Sequence, residues 1–157
     1  MNVENGETLQ LLKRLEVMVS FVIAVTISKD GSKIVKLVSG SWDNIIKIWD
    51  VPSGNLLETF EGHTNHENSL CLSPDQSKIV SASDDFTMKM WDFSSGKLLK
   101  SLKYDNYVAN SICYSPNGSY IASNYGKDIK LWDALFNPLM TLLGHLQTAF
   151  SIRFSWG

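Results

Sequence analysis

The sequence predicts an all-β chain assembled from repeated, four-stranded antiparallel units. Three observations carry that prediction. The Trp-Asp pair recurs at Trp49-Asp50, Trp91-Asp92 and Trp132-Asp133, with spacings of 42 and 41 residues. Each pair closes a run, residues 44–49, 87–91 and 127–132, that alternates apolar and polar as a half-buried strand should. One turn sequence also stands at the same place in each unit, as Ser28-Lys29-Asp30-Gly31-Ser32, Ser73-Pro74-Asp75-Gln76-Ser77 and Ser115-Pro116-Asn117-Gly118-Ser119. Self-similarity at a fixed period means that each unit buries its apolar face against its neighbours.

Taken in order, residues 1–16 contain Gly6-Glu7-Thr8-Leu9-Gln10-Leu11-Leu12. That segment is similar to Gly54-Asn55-Leu56-Leu57-Glu58-Thr59-Phe60 and Gly96-Lys97-Leu98-Leu99-Lys100-Ser101-Leu102, which follow Trp-Asp and a short turn. All three read as outermost strands, the first belonging to a unit whose earlier strands are missing. Residues 17–27 are the most apolar run and follow Lys13 and Arg14. Eleven residues fall short of the roughly 20 that span a bilayer. A secretory apolar region can be that short, but no small-x-small cleavage site follows. The run therefore reads as an innermost strand, with targeting as the alternative, because residues 24–28 fall where 69–73 fall in the next unit.

The repeated turn uses Pro, Asp, Asn and Gly, which supply the fixed or positive φ of a tight reversal. A second β run follows each turn, at 33–39, 78–81 and 120–123, then a second turn, the alternating third run and the outer strand. The units are thus 17–61, 62–103 and 104–143, with 144–157 restarting the pattern. Unit one is longer: Ser28 to Trp49 is 21 residues, against 18 and 17 in the later units. Sheet register cannot absorb an odd insertion without a bulge or loop, so a distortion is expected near Lys36-Leu37-Val38.

With 157 residues the chain is one domain. Net charge is −2, from 14 basic and 16 acidic residues without a basic run, so neither a nucleic-acid nor a membrane partner is expected. Cys71 and Cys113 lie one repeat apart and read as small buried hydrophobes rather than as a bridge, which favours a reducing compartment, cytoplasm or nucleus. His63, His66 and His145 lack metal-ligand spacing, and there is no phosphate-cradling Gly-rich loop, so neither metal nor cofactor is expected.

Gly62-His63, the turn beginning Ser73-Pro74-Asp75 and Trp91-Asp92, repeated in register, resemble the WD-repeat β-propeller family. The resemblance implies a partial β-propeller of about three blades, with an outer strand of an incomplete blade before them and an inner strand of another after them. It also implies a structural role for His63, Ser81, Asp85 and Trp91 as one hydrogen-bonded chain, and for Ser39, Asp43 and Trp49 in blade one. Phe21 or its neighbours replace the His there. Blade three keeps Ser123 and Trp132, has Gly126 at the Asp place, and puts Asp105 near the His place. A Ser/His/Asp hydrolase using His63, Ser81 and Asp85 is the weaker alternative, since no Gly-x-Ser-x-Gly elbow is present.

Family propellers bind proteins through the loops before the inner strands and the turns between second and third strands. The matching positions here are Phe21, Ile23, Trp42, His66, Asn68, Asp84, Val108, Asn110, Tyr125, Thr148 and Phe150. Phe21 and Phe150 could equally be core, whereas Trp42 is expected to be exposed. The resemblance thus implies a non-catalytic protein-interaction scaffold. The alternative is a structural part of a larger or multi-chain propeller. Seven blades are usual in the family, so a second copy or another chain is expected to complete the ring.

Overall fold

The computed structural model describes residues 21–30, 33–104 and 107–155, with backbone only for Ile23, Lys29, Asp30, Lys33 and Ile34. The expected outer strand in residues 1–16, the first part of the apolar run, Asp105 and Trp156 lie outside that range. The described residues hold twelve strands and no helix, so none could cross a membrane as a helix. Blade one is β1 (Val22–Asp30), β2 (Lys33–Ser41), β3 (Ile45–Asp50) and β4 (Leu56–Glu61). Blade two is β5 (Glu67–Leu72), β6 (Lys78–Ser83), β7 (Thr87–Asp92) and β8 (Leu98–Lys103). Blade three is β9 (Ile112–Tyr114), β10 (Tyr120–Tyr125), β11 (Asp128–Asp133) and β12 (Pro138–Leu142). Each is an antiparallel sheet with its strands in sequence order. The all-β class and the three four-stranded blades are as the sequence predicts.

The two residues of Trp-Asp act at different places. The Trp indole turns into the sheet, while the Asp carboxylate caps the turn to the outer strand. Asp50 accepts the Ser53 amide (2.9 Å), Asp92 the Ser95 amide (2.8 Å) and Asp133 the Leu135 amide (2.8 Å). Two turns then reverse through glycines of positive φ, Gly54 and Gly96. Blade three places Phe136 in the same left-handed conformation, at φ 62°.

Apolar seams join the blades. Val38, Ile46, Ile48 and Phe60 of blade one meet Leu70, Ile79, Trp91 and Phe93 of blade two. The next seam joins Val80, Ala82, Met88 and Met90 to Ile112, Ile121, Trp132 and Phe136. Blade two is therefore covered on both faces, and β6 and β7 are buried almost throughout. β11 is mostly half-buried: among the described residues, Ile152 and Phe154 of the tail pack on the far face of blade three.

Large and small residues exchange places between the seams. A Cβ on Gly96 would stand 2.7 Å from the Phe60 ring, so the glycine makes room for Phe60. At the second seam Leu102 holds the Phe60 position and Phe136 the Gly96 position, and both lie in one cluster. Burial of the Phe136 ring offsets its backbone strain.

The insertion in blade one lies upstream of the expected site. Seven residues separate Ser28 from its partner Lys36, where four separate Ser73 from Lys78. The extra length extends the β1–β2 hairpin, and the register shift falls opposite Val35, between Ser28 and Lys29. Lys36, Leu37 and Val38 pair regularly with Asp50, Trp49 and Ile48. An insertion at a hairpin tip leaves the inward faces of β2 and β3 unchanged, whereas one at Lys36–Val38 would invert them. The tail also departs from expectation. Residues 149–155 lie against blade three but form no strand, for no other strand among the described residues pairs with them.

Replacing Phe136 by Gly removes the left-handed strain but empties the seam. A net loss of about 2–4 kcal/mol is expected in urea unfolding.

Candidate protein-interaction face and the polar networks beneath it

In blade two, His63 Nδ1 lies 2.8 Å from Asp85 Oδ2 and Nε2 lies 2.7 Å from Ser81 Oγ. Trp91 Nε1 donates to Ser81 Oγ at 2.9 Å. The carboxylate fixes the tautomer: Nδ1–H donates to Asp85, so Nε2 accepts the Ser81 hydroxyl proton. The relay runs Trp91, Ser81, His63, Asp85 with every donor used. Asp85 also accepts the amides of Thr64 (3.0 Å) and Thr87 (2.9 Å), which ties the loop before β5 to the β6–β7 turn. Burial pushes the His63 pKa below its ordinary 6.5, against the pull of Asp85. The imidazole is therefore the neutral acceptor this relay needs.

Distances of this kind would suit a nucleophilic triad. Ser81 is 0% exposed, however, and its Oγ is enclosed by the indole donor and the imidazole acceptor. A nucleophile must reach its substrate, and this hydroxyl faces only protein.

The other blades keep the Trp–Ser bond and change what lies beyond it. Trp49 Nε1 donates to Ser39 Oγ at 2.9 Å in blade one. Asp43, expected in that network, does not join it. With no imidazole to reach, it accepts the Ile45 amide at 3.2 Å and pairs with Lys47 at 3.5 Å. In blade three Trp132 Nε1 donates to Ser123 Oγ at 3.0 Å. Sequence reasoning missed the next member: Tyr104 OH lies 2.6 Å from Ser123 Oγ and 2.8 Å from Met88 Sδ. The phenol stands where the imidazole stands in blade two. Its position, 19 residues before Ser123 against 18 between His63 and Ser81, was the available signal.

The lysine two residues before each Trp follows these changes. Lys47 pairs with Asp43, and Lys89 with Thr87 Oγ1 (3.0 Å) and Ser101 Oγ (3.3 Å). Lys130, whose turn has Gly126 in place of Asp, stands over the Tyr125 ring at 3.6 Å.

Two further features were not singled out from the sequence. Side chains at the inner edge of blades two and three capture amides of the segment that follows: Ile112 N donates to Ser69 Oγ and Ile152 N to Ser111 Oγ, both at 3.1 Å. The Cys71 and Cys113 sulfurs accept the Tyr114 and Phe154 amides in the same way, and burial pushes both thiols up. The second feature is Glu67. It is 0% exposed, and neither carboxyl oxygen has a hydrogen-bond partner among the described residues. Burial, with Asp85 nearby, pushes its pKa up to about 9.

Above these networks lie the expected face residues. Trp42 is 45% exposed, stacks on His66 at 4.9 Å and meets the Phe21 ring edge-on at 5.0 Å. His66 Nδ1–H donates to the Trp42 carbonyl at 2.8 Å, so the pair crosses the seam between blades one and two. Asn68 donates to Asp84 at 2.6 Å. Over blade three, Tyr125 packs against Tyr107 at 4.7 Å, beside a groove of about 370 Å³ lined also by Leu146, Gln147 and Thr148. Val108 is half-buried, and Asn110 N donates to Asn124 Oδ1 at 2.8 Å. Phe21 (72%) and Phe150 (75%) are exposed rather than core. Ile23 lies on β1, which fixes its backbone place alone. Phe86, not anticipated, is exposed in the β6–β7 turn with φ 62°.

Three antiparallel four-stranded sheets, joined along apolar seams and each centred on a Trp–Ser bond, define a propeller-blade repeat protein. The family model described as "WD domain, G-beta repeat" matches residues 10–50, 54–92 and 96–133, and the chain belongs to the WD-repeat family. It is similar to small ribosomal subunit protein RACK1y of Oryza sativa subsp. japonica, 42% identical over 41 residues, 26% of this chain and 12% of that protein. It is 39% identical over 41 residues to small ribosomal subunit protein RACK1 of Neurospora crassa, 26% of this chain and 13% of that one. To the peroxisomal targeting signal 2 receptor of Mus musculus it is 50% identical over 38 residues, 24% and 12%. The matched segments thus span about an eighth of each relative.

Substitution of Ser81 by Ala, or of Tyr104 by Phe, leaves buried donors or acceptors unpaired. Each is expected to cost about 1–3 kcal/mol in denaturant unfolding, whereas Asp43→Asn on the surface costs below about 1 kcal/mol. The folded chain resists protonating His63, while the unfolded chain binds that proton below pH 6.5. His63 therefore contributes a loss of stability as pH falls from 6.5 toward its lower folded pKa. In His63→Gln that contribution should vanish from the urea midpoint measured against pH.

Proposed function

We propose that the chain is a non-catalytic protein-interaction scaffold that binds partners through the face carrying Trp42, His66 and Phe21. The observation that carries this reading is the exposed Trp42 ring, held in one orientation by His66 and Phe21 across a seam. Large aromatic side chains already ordered before contact lose little entropy on binding and are typical anchors. Phe86 adds a further exposed ring whose left-handed backbone is offset by no burial of its own. The burial of Ser81 speaks for structure and against hydrolysis at His63, Ser81 and Asp85. The names of the rice and mouse relatives, a ribosomal subunit protein and a receptor, are in keeping with binding.

A second reading, part of a larger or multi-chain propeller, is favoured by the apolar surface at both flanks. Val25 of blade one and Leu146 of the tail are exposed, and residues 149–155 have no strand partner among the described residues.

For any partner captured by the folded chain, Trp42→Ala is expected to weaken binding at least about tenfold, roughly 1.4 kcal/mol, with an unchanged melting temperature. Unaltered affinity in Trp42→Ala, Phe86→Ala and their double variant would sink the reading. Light scattering on the eluting peak decides the second one, through a mass of several chains or of one. Fluorophosphonate labelling of folded protein at Ser81 would reinstate a hydrolase.

A further inference from the structure

Glu67 occupies a slot that is apolar in both other blades. Register places it opposite Ser83, as Val22 is placed opposite Ser41, and one repeat on the slot holds Ala109. Valine and alanine need no partner there, and a carboxyl does. A Cβ on Gly40 of blade one would lie 3.0 Å from Glu67 Cβ and 2.9 Å from Leu70 Cδ2, so the seam closes directly on the acid. The nearest cationic candidate, His63 Nε2, is 3.6 Å from Oε1, beyond hydrogen-bond length, and already accepts Ser81.

The other charged groups that face this carboxyl are Asp85 from the β6–β7 turn, Lys89 from β7 and Asp43 from the β2–β3 turn of blade one. Two of the three are acidic. Lys89 is the one cation among them, and its ammonium is engaged with Thr87, Ser101 and, at 3.9 Å, the Asp85 carboxylate. A carboxylate in this slot would be unsolvated, unpaired and repelled. Its relief is to leave, and the exit lies along the start of β5, where Asn68 already breaks the register between Glu67 and Ser69. The adjacent residue, His66, holds Trp42.

We propose that Glu67 is a proton-operated latch on the seam between blades one and two. Protonated, it lets Gly40 close on β5 and the His66–Trp42 stack stand. Ionised, it draws the start of β5 out toward solvent and releases Trp42. The latch acts on the face proposed above to bind partners, and it rests on that reading only for its consequence for binding.

The sign follows from the direction of the pKa change. The folded carboxyl holds its proton to about pH 9, and the unfolded one loses it near 4.5. Stability from the closed seam is complete below pH 4.5 and is lost progressively as pH rises toward 9. The open-to-closed ratio should rise about tenfold for each pH unit in that window. From pH 7 to 8.5 His63 is neutral in the folded chain and sheds only its last protonation in the unfolded one, a small contribution that raises stability with pH and so runs against the latch; the thiols, pushed up by burial, begin to contribute only near the top of the range.

The test uses the whole chain labelled with 5-fluorotryptophan, with the Trp42 fluorine signal assigned through Trp42→Phe. Signal and urea midpoint are followed from pH 7 to 8.5 in wild type, Glu67→Gln and Glu67→Val. The latch predicts a falling midpoint and a shifting Trp42 signal in wild type, with both flat in the two variants. A wild-type slope retained in Glu67→Gln and Glu67→Val would overturn it. So would a Trp42 signal that stays constant while the midpoint falls, since Glu67 would then be a buried destabilising acid with no hold on the face. Neither readout involves a partner, so the latch and the binding reading fail separately.

Discussion

An indole N–H buried in a sheet needs an acceptor, and in all three blades the acceptor is a serine hydroxyl on the neighbouring strand. The rest of the structure depends on that bond. The serine must stand ten residues before Trp49 and Trp91, and nine before Trp132, whose turn is shorter. That spacing sets the length of the turn between second and third strands, and with it where each turn presents its residues on the face. The hydroxyl then has a proton to donate, and the blades differ in what receives it. Blade two uses an imidazole fixed by a carboxylate, and blade three uses a phenol that continues to a thioether. Networks of this kind tolerate a change of chemistry at one member provided that the count of donors and acceptors still closes.

Much of this was legible in the sequence, because the features that recur are the ones under strict geometric constraint. Trp-Asp, the serine and the turn residues each satisfy a specific hydrogen bond or φ value, so they return at one period. Tyr104 was not legible in that way. It does the work of a histidine with a different side chain, so a search for His found Asp105 instead. Glu67 was hidden for the opposite reason: its position looks polar in one repeat, and only the register shows that the slot is apolar in the others. The insertion in blade one was legible as a length but not as a place, since three residues can be absorbed at a hairpin tip without altering the pattern downstream. Phe21 and Phe150 remained open because an aromatic residue at the start of an inner strand fits either side of the sheet. Their exposure was decided by the loops around them.

The family match is offset from the sheets. Residues 54–92 supply β4 to blade one and β5, β6 and β7 to blade two, and residues 96–133 supply β8 to blade two and β9, β10 and β11 to blade three, so these two sequence repeats each bridge two sheets. The same overlap recurs at the inner strands, where Ser69 and Cys71 accept amides from blade three. Blades are thus joined at the rim by chain, at the centre by side-chain acceptors and between by apolar seams. The buried acid at the first seam is the departure from this scheme, and it lies beneath the aromatic residues that the face exposes.

The size exchange between Phe60 with Gly96 and Leu102 with Phe136 gives the blades an order. A repeat array in which every joint is alike can slip, swap or rearrange its members with little change in free energy. Here the two joints are keyed differently. Seating blade three against blade one would drive Phe136 into Phe60, and the reciprocal exchange would leave a hollow beside Leu102. Two ring-sized volumes, one supplied from the outer strand and the other from the turn, thereby number the blades. Shuffling or grafting single repeats of this chain would carry a steric address that a sequence of near-identical motifs does not advertise.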